Sequence, residues 1–349
     1  MILDEKDYYD GGRAVSYNCP ITIACGTRSY GKTYWYKRRA IRRFIKQGTT
    51  SVYMRRYDEQ LKSLLRKKNS FISDLLARDE FPGWELRQNG RVIEGKREGD
   101  KAFRPIIYFT ALSAYENEKS GHDAMTDSLI FDEFIKENKR VPYLDGEVAA
   151  LMNFWETIDR REDRVRLYLL GNAADLVNPY FLEWRITITT ETPRYTKWQN
   201  GGVLLDYVTP DGAFMDRAQA SNIGRVTAGT GYDAYARLNQ FADLNDDFIV
   251  KTKPSSATHS CTIAYMGDRF GVWLDAKQGE YYITLGAPSD NRPVYALTRE
   301  DMRPNLVMLR RSEPMLKTLG RMYRYGYIWF DRVKTREAFL DMMRRAGQV

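Results

Sequence analysis

The sequence predicts an α/β fold in which helices cover both faces of a mostly parallel sheet. Three observations lead to this prediction. From residue 20 to about residue 174, short apolar runs alternate with amphipathic stretches, as in chains built from strand-helix-strand units. The first apolar run leads directly into a glycine turn and a basic helix. Three further apolar runs after residue 248 precede two helical stretches, which predicts a second α/β domain.

The predicted strands of the first domain lie at 21–25, 51–54, 106–109, 128–131 and 165–170. Its predicted helices begin after Lys32, cover about 61–76 and span 146–159. A hairpin over 84–93 is expected at the sheet edge, because Asn89-Gly90 supplies the positive backbone angles of a tight turn. In the second domain, runs at 262–266, 271–274 and 281–285 predict an antiparallel meander, with helices near 313–325 and 335–345.

The length of 349 residues, 43% of them hydrophobic, allows a sizeable core and favours two domains over one. We predict a first domain over residues 1–200 and a C-terminal domain over residues 248–349. Residues 201–247 contain several glycines and short polar runs, so we interpret them as a linker or a small connecting domain.

The composition excludes several classes of protein. With three cysteines and two histidines, the chain lacks the residues for a disulfide framework, a zinc site or histidine-based catalysis, and we expect a carboxylate as any general base. No apolar run approaches the roughly 20 residues of a membrane span, and the acidic start is unlike a signal peptide. We therefore expect a cytoplasmic protein with no membrane partner.

Gly26-Thr-Arg-Ser-Tyr-Gly-Lys-Thr33 matches the phosphate-loop pattern between a predicted strand and a predicted helix, where the pattern requires it. Backbone amides are expected to bind phosphates, Lys32 to reach the β and γ oxygens, and Thr33 to bind Mg²⁺. The alternative is a chance match at a glycine turn. The predicted nucleotide-binding residues are Gly26, Thr27, Arg28, Ser29, Tyr30, Gly31, Lys32, Thr33 and Asn172.

The run 127–133 ends in two adjacent acids and is expected to form a strand beside the first. We predict that Asp132 holds Mg²⁺ through water and that Glu133 polarises the attacking water. This pair is typical of hydrolysing ATPases, and the guanine-reading pattern Asn-Lys-x-Asp is absent from the sequence. The sequence thus predicts a P-loop ATPase domain of the ASCE type, with ATP and Mg²⁺ as cofactors. Surface decoration is the alternative for such an acid pair.

Three further polar groups lie at the ends of predicted elements. Between helix 146–159 and strand 165–170, Arg160 and Arg161 can each present a guanidinium to a neighbouring subunit's phosphate, or pair locally. Asn172 follows a strand and is a candidate sensor of the γ-phosphate. Arg55-Arg56 also follows a strand and could contact nucleotide or DNA, although a pair facing solvent is the commoner case.

The distribution of charge favours a polyanionic partner. The net charge is +8, and the segment from Lys32 to Lys68 holds thirteen Lys or Arg residues against two acids. Solvated helix faces explain most of these cations at least as well as phosphate contacts do.

Several of these motifs, in this order, resemble the DNA-packaging ATPases of small tailed phages of the phi-twenty-nine-like type, which are relatives of the terminase large subunits. The resemblance spans nearly the whole chain. It rests on the phosphate loop and on the segments 43–46, 53–57, 113–120, 131–134, 147–151, 164–166, 178–181, 271–275 and 278–279.

The resemblance implies a motor that hydrolyses ATP to translocate double-stranded DNA through a portal into a procapsid. It implies a homopentameric ring, transiently docked on the procapsid in the host cytoplasm and absent from the mature virion. Arg160 matches the family's trans-acting arginine finger, and Lys119 matches a lysine near the subunit boundary. The portal protein is an expected partner, and a packaging RNA is a further partner whose use the sequence leaves open.

The C-terminal domain resembles the RNase H-like nuclease fold of terminases, which in this branch is thought to have lost cleavage. The residues agree with that loss, because a two-metal nuclease needs several converging carboxylates and the meander offers only Asp268 and Asp275. We therefore expect no nuclease activity. Two other functions remain open: a helicase or DNA-segregation ATPase that moves on naked DNA, and a non-catalytic adaptor whose nucleotide only stabilises a ring.

Overall fold

The computed structural model describes residues 8–114, 124–136, 142–172, 178–186, 188, 192–209, 212–227, 251–310 and 313–348. The chain divides into two compact units. The first unit consists of Met1–Asp175 and Ile188–Phe241, and the second of Leu176–Thr187 and Ala242–Val349. In the described part of the chain, no helix has the length and apolar character needed to cross a membrane.

The strands of the first unit form one sheet. They are β1 (Ile21–Gly26), β2 (Thr50–Arg55), β3 (Trp84–Asn89), β4 (Val92–Arg97), β5 (Arg104–Ala111), β6 (Thr126–Asp132), β7 (Arg166–Asn172), β8 (Tyr195–Trp198) and β9 (Val203–Val208). Their order across the sheet is β3-β4-β5-β2-β6-β7-β1-β9-β8. All pairs from β5 to β9 are parallel, and the outer strands on both sides pair antiparallel. The predicted mixed fold with a large, mostly parallel sheet is confirmed.

The α-helices in the described residues are α1 (Gly12–Ser16), α2 (Lys32–Gln47), α3 (Asp58–Leu65), α4 (Ser73–Ala77), α5 (Glu147–Asp159), α6 (Pro179–Glu183), α7 (Gly212–Ala220), α8 (Asn222–Thr227), α9 (Pro314–Arg324) and α10 (Val333–Arg345). In α2, the buried residues Tyr36, Ala40, Ile41 and Phe44 recur at helical spacing and pack against the sheet, which explains why this strongly basic segment folds as a helix.

The two faces of the sheet carry different helices. Ile130 joins the cluster beneath α2, whereas its neighbours Leu129 and Phe131 point to the opposite face and are fully buried. Helix α5 packs against β6, the strand that carries these residues. Because the sheet is buried on both sides, its central strands consist of near-continuous apolar runs, the signal from which they were predicted.

Three expectations from the sequence are wrong. The strand ending at Asp132 does not lie beside β1, because β7 pairs with both and separates them. The expected linker over 201–247 begins with β9, which pairs parallel with β1, so Gly201 and Gly202 precede a strand rather than open a connection. The expected helix over 61–76 is broken after α3, where Asn69 adopts a left-handed conformation next to two lysines.

The second unit contains the sheet β14-β13-β10-β11-β12-β15. Its strands are β10 (Thr258–Tyr265), β11 (Asp268–Asp275), β12 (Glu280–Leu285), β13 (Val294–Ala296), β14 (Val307–Met308) and β15 (Ile328–Phe330). The first three form the antiparallel meander, and the others add parallel strands at its two edges. Helices α9 and α10 bury Leu316, Leu319, Phe339 and Met343 against this sheet.

Candidate nucleotide site

The segment between β1 and α2 is a loop in which three positions have a positive φ angle, a conformation that favours glycine. Gly26, Ser29 and Gly31 have positive φ angles of 156°, 60° and 96°. A Cβ atom on Gly26 would lie 2.1 Å from the carbonyl oxygen of Val208, so this position accepts no side chain. The loop therefore closes against β9, where the Thr27 amide donates to the Val208 carbonyl oxygen at 3.3 Å, and leads directly into the N-terminus of α2, a position suited to binding phosphate.

Lys32 is the first residue of α2 and its ammonium lies inside the loop. Its Nζ donates to the carbonyl oxygens of Thr27 at 2.6 Å and Gly26 at 3.3 Å, and to Oδ1 of Asn172 at 3.2 Å. The buried hydroxyl of Thr27 has no hydrogen-bond partner among the described residues. A cation and an unused hydroxyl inside a cradle of amides fit a polyphosphate.

The side chains of Thr33 and Asp132 meet at the mouth of the loop. Thr33 Oγ1 donates to Asp132 Oδ2 over 2.9 Å. The two residues meet although β7 lies between β6, which ends at Asp132, and β1, which precedes the loop. The same carboxylate oxygen accepts from the Tyr53 hydroxyl at 2.5 Å and from Arg55 at 3.1 Å. One hydroxyl and one carboxylate are hard oxygen ligands of the kind Mg²⁺ takes beside phosphates and water. No cluster of three or more potential metal ligands occurs among the described residues, so an all-protein metal cage is not seen there.

Glu133 follows Asp132 in a left-handed conformation with φ 57°, which turns the chain sharply at the end of β6. Its amide donates to Asp132 Oδ1 at 3.0 Å, and its carboxylate forms an ion pair with Arg55. The Glu133 side chain is 52% exposed, whereas that of Arg55 is largely buried. Burial opposes the charge of Arg55, but Asp132 and Glu133 outweigh it, and the net pKa of this guanidinium is raised. Arg55 is therefore a fixed cation between the two carboxylates.

These side chains surround a cavity of about 330 Å³ at the carboxyl ends of β1, β6 and β7. A second cavity of about 610 Å³ shares Gly31 and Tyr34 with it and is rich in aromatic and charged side chains. The larger cavity is lined by Tyr8, Tyr9, Asp10, Gly31, Tyr34, Trp35, Arg38, Arg42, Asp74 and Arg78. Tyr30 also borders the smaller cavity, but its ring is buried against Phe214 of α7 at a centroid distance of 4.8 Å.

Arg160 lies on the far side of the first unit from this cavity. It ends α5 with φ 55°, at the amino edge of the sheet, whereas Asp132 and Asn172 lie at the carboxyl edge. The 13 residues of α5 separate the two edges by about 20 Å at 1.5 Å per residue. Arg160 thus cannot reach the phosphate loop of its own chain.

The turn that carries Arg160 is folded around one buried carboxylate. Asp159 accepts from the amides of Asp163 at 3.0 Å, Arg164 at 3.0 Å and Val165 at 2.8 Å. Arg161 pairs with Glu156 at 2.7 Å. The exposed Arg160 side chain makes no ion pair or hydrogen bond with the residues that the structure describes. The structure therefore distinguishes two arginines that the local sequence left equivalent.

Comparison with known proteins places this geometry in a family. The model of the podovirus DNA encapsidation protein (Gp16) family matches residues 3–347. The chain belongs to this family. It is 31% identical to the DNA packaging protein of Bacillus phage phi29, over 98% of this chain and 99% of the relative. It is also 30% identical to the DNA packaging protein of Bacillus phage B103, over 95% and 98% of the two chains.

Two solved structures support the same assignment. The phi29 viral genome packaging motor assembly matches with a TM-score of 0.71 and 26% identity, covering 97% of this chain and 99% of that one. The N-terminal domain of the DNA packaging ATPase from phi29 matches with a TM-score of 0.51 and 30% identity, covering 59% and 98%. Like the members of the Gp16 family it resembles, this chain is a phage DNA-packaging protein.

The structure of this Gp16-family chain brings the loop, Asp132, Glu133 and Asn172 together and leaves Arg160 at the opposite edge of the sheet. The predicted interface residue Lys119 lies outside the described residues. Sequence reasoning missed Tyr53 as part of the site and kept a nucleotide contact of Arg55-Arg56 only as the less common case, whereas Arg55 lines the cavity. The expectation that Arg55-Arg56 faces solvent is wrong, because Arg56 is 1% exposed and pairs with Glu147 at 2.7 Å. The sequence contained a signal for this inward orientation. Arg55 and Arg56 directly follow an apolar strand, so they lie at the same edge of the sheet as the acids predicted at the end of another parallel strand.

Proposed function

We propose that this chain is an ATPase that uses Mg²⁺ and couples hydrolysis to translocation of double-stranded DNA through a portal into a procapsid. The contact between Thr33 and Asp132 carries the hydrolytic part of the proposal. It joins the start of α2 to the end of β6, one residue before Glu133 and directly beside Lys32. A simple nucleotide-binding turn has no need of an aligned hydroxyl, carboxylate and adjacent glutamate.

Different residues of the site bind the phosphates, hold the metal ion and activate the attacking water. Loop amides and Lys32 hold the β and γ phosphates, and Thr33 and Asp132 hold the ion, which neutralises the charge that develops on the phosphates. Glu133 orients the attacking water and accepts its proton. To do so, its carboxylate has to leave Arg55, which then remains beside Asp132. Asn172, now bonded to Lys32, faces the γ-phosphate position once Lys32 moves to the substrate.

The cavity of about 610 Å³ beside Gly31 and Tyr34 accommodates the nucleoside. Its aromatic side chains offer faces on which a purine can stack, and its carboxylate Asp10 offers an acceptor for an amino group. A pocket that borders the phosphate cradle at Gly31 and Tyr34 supports a nucleoside triphosphate rather than inorganic phosphate as substrate.

Arg160 acts on the neighbouring subunit, since the length of α5, about 20 Å, separates it from the sheet edge where its own loop lies, and its exposed side chain has no partner among the described residues. An arginine that completes the next active site stabilises the charge of the transferring phosphoryl group and makes hydrolysis depend on assembly. This requires a closed ring, for which we propose five subunits, with Lys119 near the same boundary.

The cations of α2 support a polyanionic partner. A groove of about 330 Å³ along this helix is lined by Trp35, Arg38, Arg39, Arg42, Arg43, Lys46 and Gln47. Every charged side chain in that lining is positive, which suits the phosphate backbone of DNA. The Arg39 guanidinium lies 5.1 Å from the ring centroid of Tyr168 and forms no ion pair with the described residues. We propose the portal protein and a packaging RNA as further partners. The motor acts in the host cytoplasm on the procapsid and is absent from the mature virion.

We further propose that the second unit is an RNase H-like domain without cleavage activity. The support is its antiparallel meander, extended beside β10 by the parallel strands β13 and β14. Asp268 and Asp275 lie at opposite ends of β11 and cannot share one pair of metal ions, since they are seven residues apart along the strand, a distance of about 23 Å.

The test is ATP turnover by the full chain with and without double-stranded DNA, in the wild type, in Glu133→Gln and in Glu85→Gln, an exposed glutamate on an edge strand. We expect DNA-stimulated turnover that falls by about 10²-fold or more in Glu133→Gln alone. One turnover or less per chain despite tight ATP binding would favour the adaptor. Packaging into isolated procapsids separates the motor from a helicase, which moves on naked DNA without a portal.

A further inference from the structure

Arg56 is the largest fully buried side chain of the protein as described, at 1% exposure, and it lies directly behind the Glu133 turn. Its guanidinium donates to the carbonyl oxygens of Glu133 at 3.4 Å and Phe134 at 2.5 Å. The same group donates twice to Glu147, at 2.7 Å and 3.0 Å. One side chain therefore binds both the turn that carries the expected general base and the first residue of α5.

The surroundings of Arg56 hold its plane in one orientation. The guanidinium lies 4.7 Å from the ring centroid of Tyr143 and 5.7 Å from that of Phe131. Its five donors have a fixed planar geometry, so carbonyls on one side and a carboxylate on the other are bound at set angles. A lysine at this position would keep the charge but lose that geometry.

Glu147 is equally constrained. It is buried, and its Oε2 also accepts from the amide of Leu144 at 2.9 Å, so the carboxylate folds the chain into the start of α5. Gly146 precedes it with φ 62°, which allows this tight turn. The far end of α5 carries Asp159 and Arg160.

We propose that Arg56 is a positioning residue that sets the Glu133 turn for hydrolysis and ties it, through Glu147, to the helix that carries Arg160. This rests on the proposed hydrolytic role of Glu133. Arg56 touches neither the loop nor the cavity, so it acts on where the Glu133 carboxylate stands and leaves the phosphate contacts unchanged. The buried ion pair between Arg56 and Glu147 would thereby connect the general base Glu133 of one active site to Arg160, which acts on the active site of the neighbouring subunit.

The test uses the full chain with Arg56→Lys and, as a second variant, Glu147→Gln, which keeps the shape and one acceptor oxygen. The control is Arg194→Lys, the same substitution at an arginine that pairs with the fully buried Asp206 at 2.8 Å. We expect kcat to fall by about tenfold or more in the first two variants, because small displacements of a catalytic group cost up to about 10²-fold. The Kd of a fluorescent ATP analogue should change less than about threefold. The control should retain kcat.

Hydrogen exchange gives a readout that does not depend on hydrolysis. In both variants, amides of the peptide spanning 131–136 should exchange about tenfold faster or more, while those of the phosphate loop should keep their protection. If Arg56→Lys does not fold, Glu147→Gln decides. Unchanged kcat and exchange, or equal losses of kcat and ATP affinity, would overturn the positioning role. A wild type without turnover would refute the proposed function, and the exchange data would still decide whether Arg56 holds the turn.

Discussion

The carboxylates of the two units differ in whether the hydrogen-bond donors that bind them can be displaced. In the first unit, Asp132 and Glu133 lie at a strand end and open into a cavity, with a lysine, an arginine and a threonine hydroxyl around them. In the second unit, Asp275 and Asp301 are just as buried as Asp132, but each folds a turn of its own chain. Burial alone therefore does not make a carboxylate functional.

The hydrogen bonds of Asp275 and Asp301 show which donors occupy these two carboxylates. Asp275 accepts from the Ser256 hydroxyl at 2.9 Å and the Lys277 amide at 3.0 Å. Asp301 accepts from the amides of Met266 and Gly267, both at 2.8 Å, and from Thr298 Oγ1 at 2.6 Å. Backbone donors cannot be exchanged for a metal without unfolding the turn, whereas the hydroxyl and guanidinium donors on Asp132 can rotate away.

The largest effect on ATP turnover is expected from a substitution in the phosphate loop of the first unit. Lys32→Ala removes the ammonium that lies among the carbonyls of Gly26 and Thr27, so the triphosphate loses its charged contact. ATP turnover should fall by about 10³-fold or more, with greatly weakened ATP binding. Turnover and equilibrium binding measure this, and Lys101→Ala, at an exposed lysine in the turn before β5, is the control. An active Lys32→Ala chain would remove the basis for the site.

Arg160→Ala should lower turnover of the assembled ring by about 10²- to 10³-fold, because we propose that this arginine acts on the neighbouring subunit. Arg161→Ala, which breaks only an exposed pair with Glu156, should have little effect. Mixing the inactive Arg160→Ala and Lys32→Ala chains should restore part of the activity, since the second donates its arginine to the intact loop of the first. Absence of restoration in mixed rings would contradict action between subunits.

The same comparison shows how far the sequence predicts the site. The loop before α2 and the acid pair after β6 follow local patterns, so both were found at the correct strand ends. The position of β7 between them was not, because the order of parallel strands depends on how crossovers pack rather than on any local pattern. The inward orientation of Arg56 was missed for a similar reason: its partner Glu147 lies 91 residues away in the chain. Long-range partners decide whether a charged strand end faces water.

Asp301→Asn should destabilise the second unit and leave ATP turnover unchanged. The amide that replaces one carboxylate oxygen cannot accept from the backbone, so one of the donors at Met266 or Gly267 loses its partner, at a cost of about 1–3 kcal/mol. Thermal or urea unfolding measures the loss. A fall in turnover without a fall in stability would give this carboxylate a catalytic role and end the contrast between the units.

Asp268→Asn should have the smallest effect of all. Its carboxylate lies 3.7 Å from Lys334 Nζ, and one of its oxygens is buried without a hydrogen-bond partner among the described residues. Such a long, partly exposed pair contributes about 0–1 kcal/mol, so unfolding should change little. Of the two acids of β11, Asp268 is nevertheless the one with fewer hydrogen bonds, which makes it the sharper test of lost cleavage. Supercoiled plasmid incubated with Mg²⁺ or Mn²⁺ should remain uncut by the wild type and the variant alike. Nicking by the wild type that disappears in Asp268→Asn would show that a single unused carboxylate has kept nuclease chemistry.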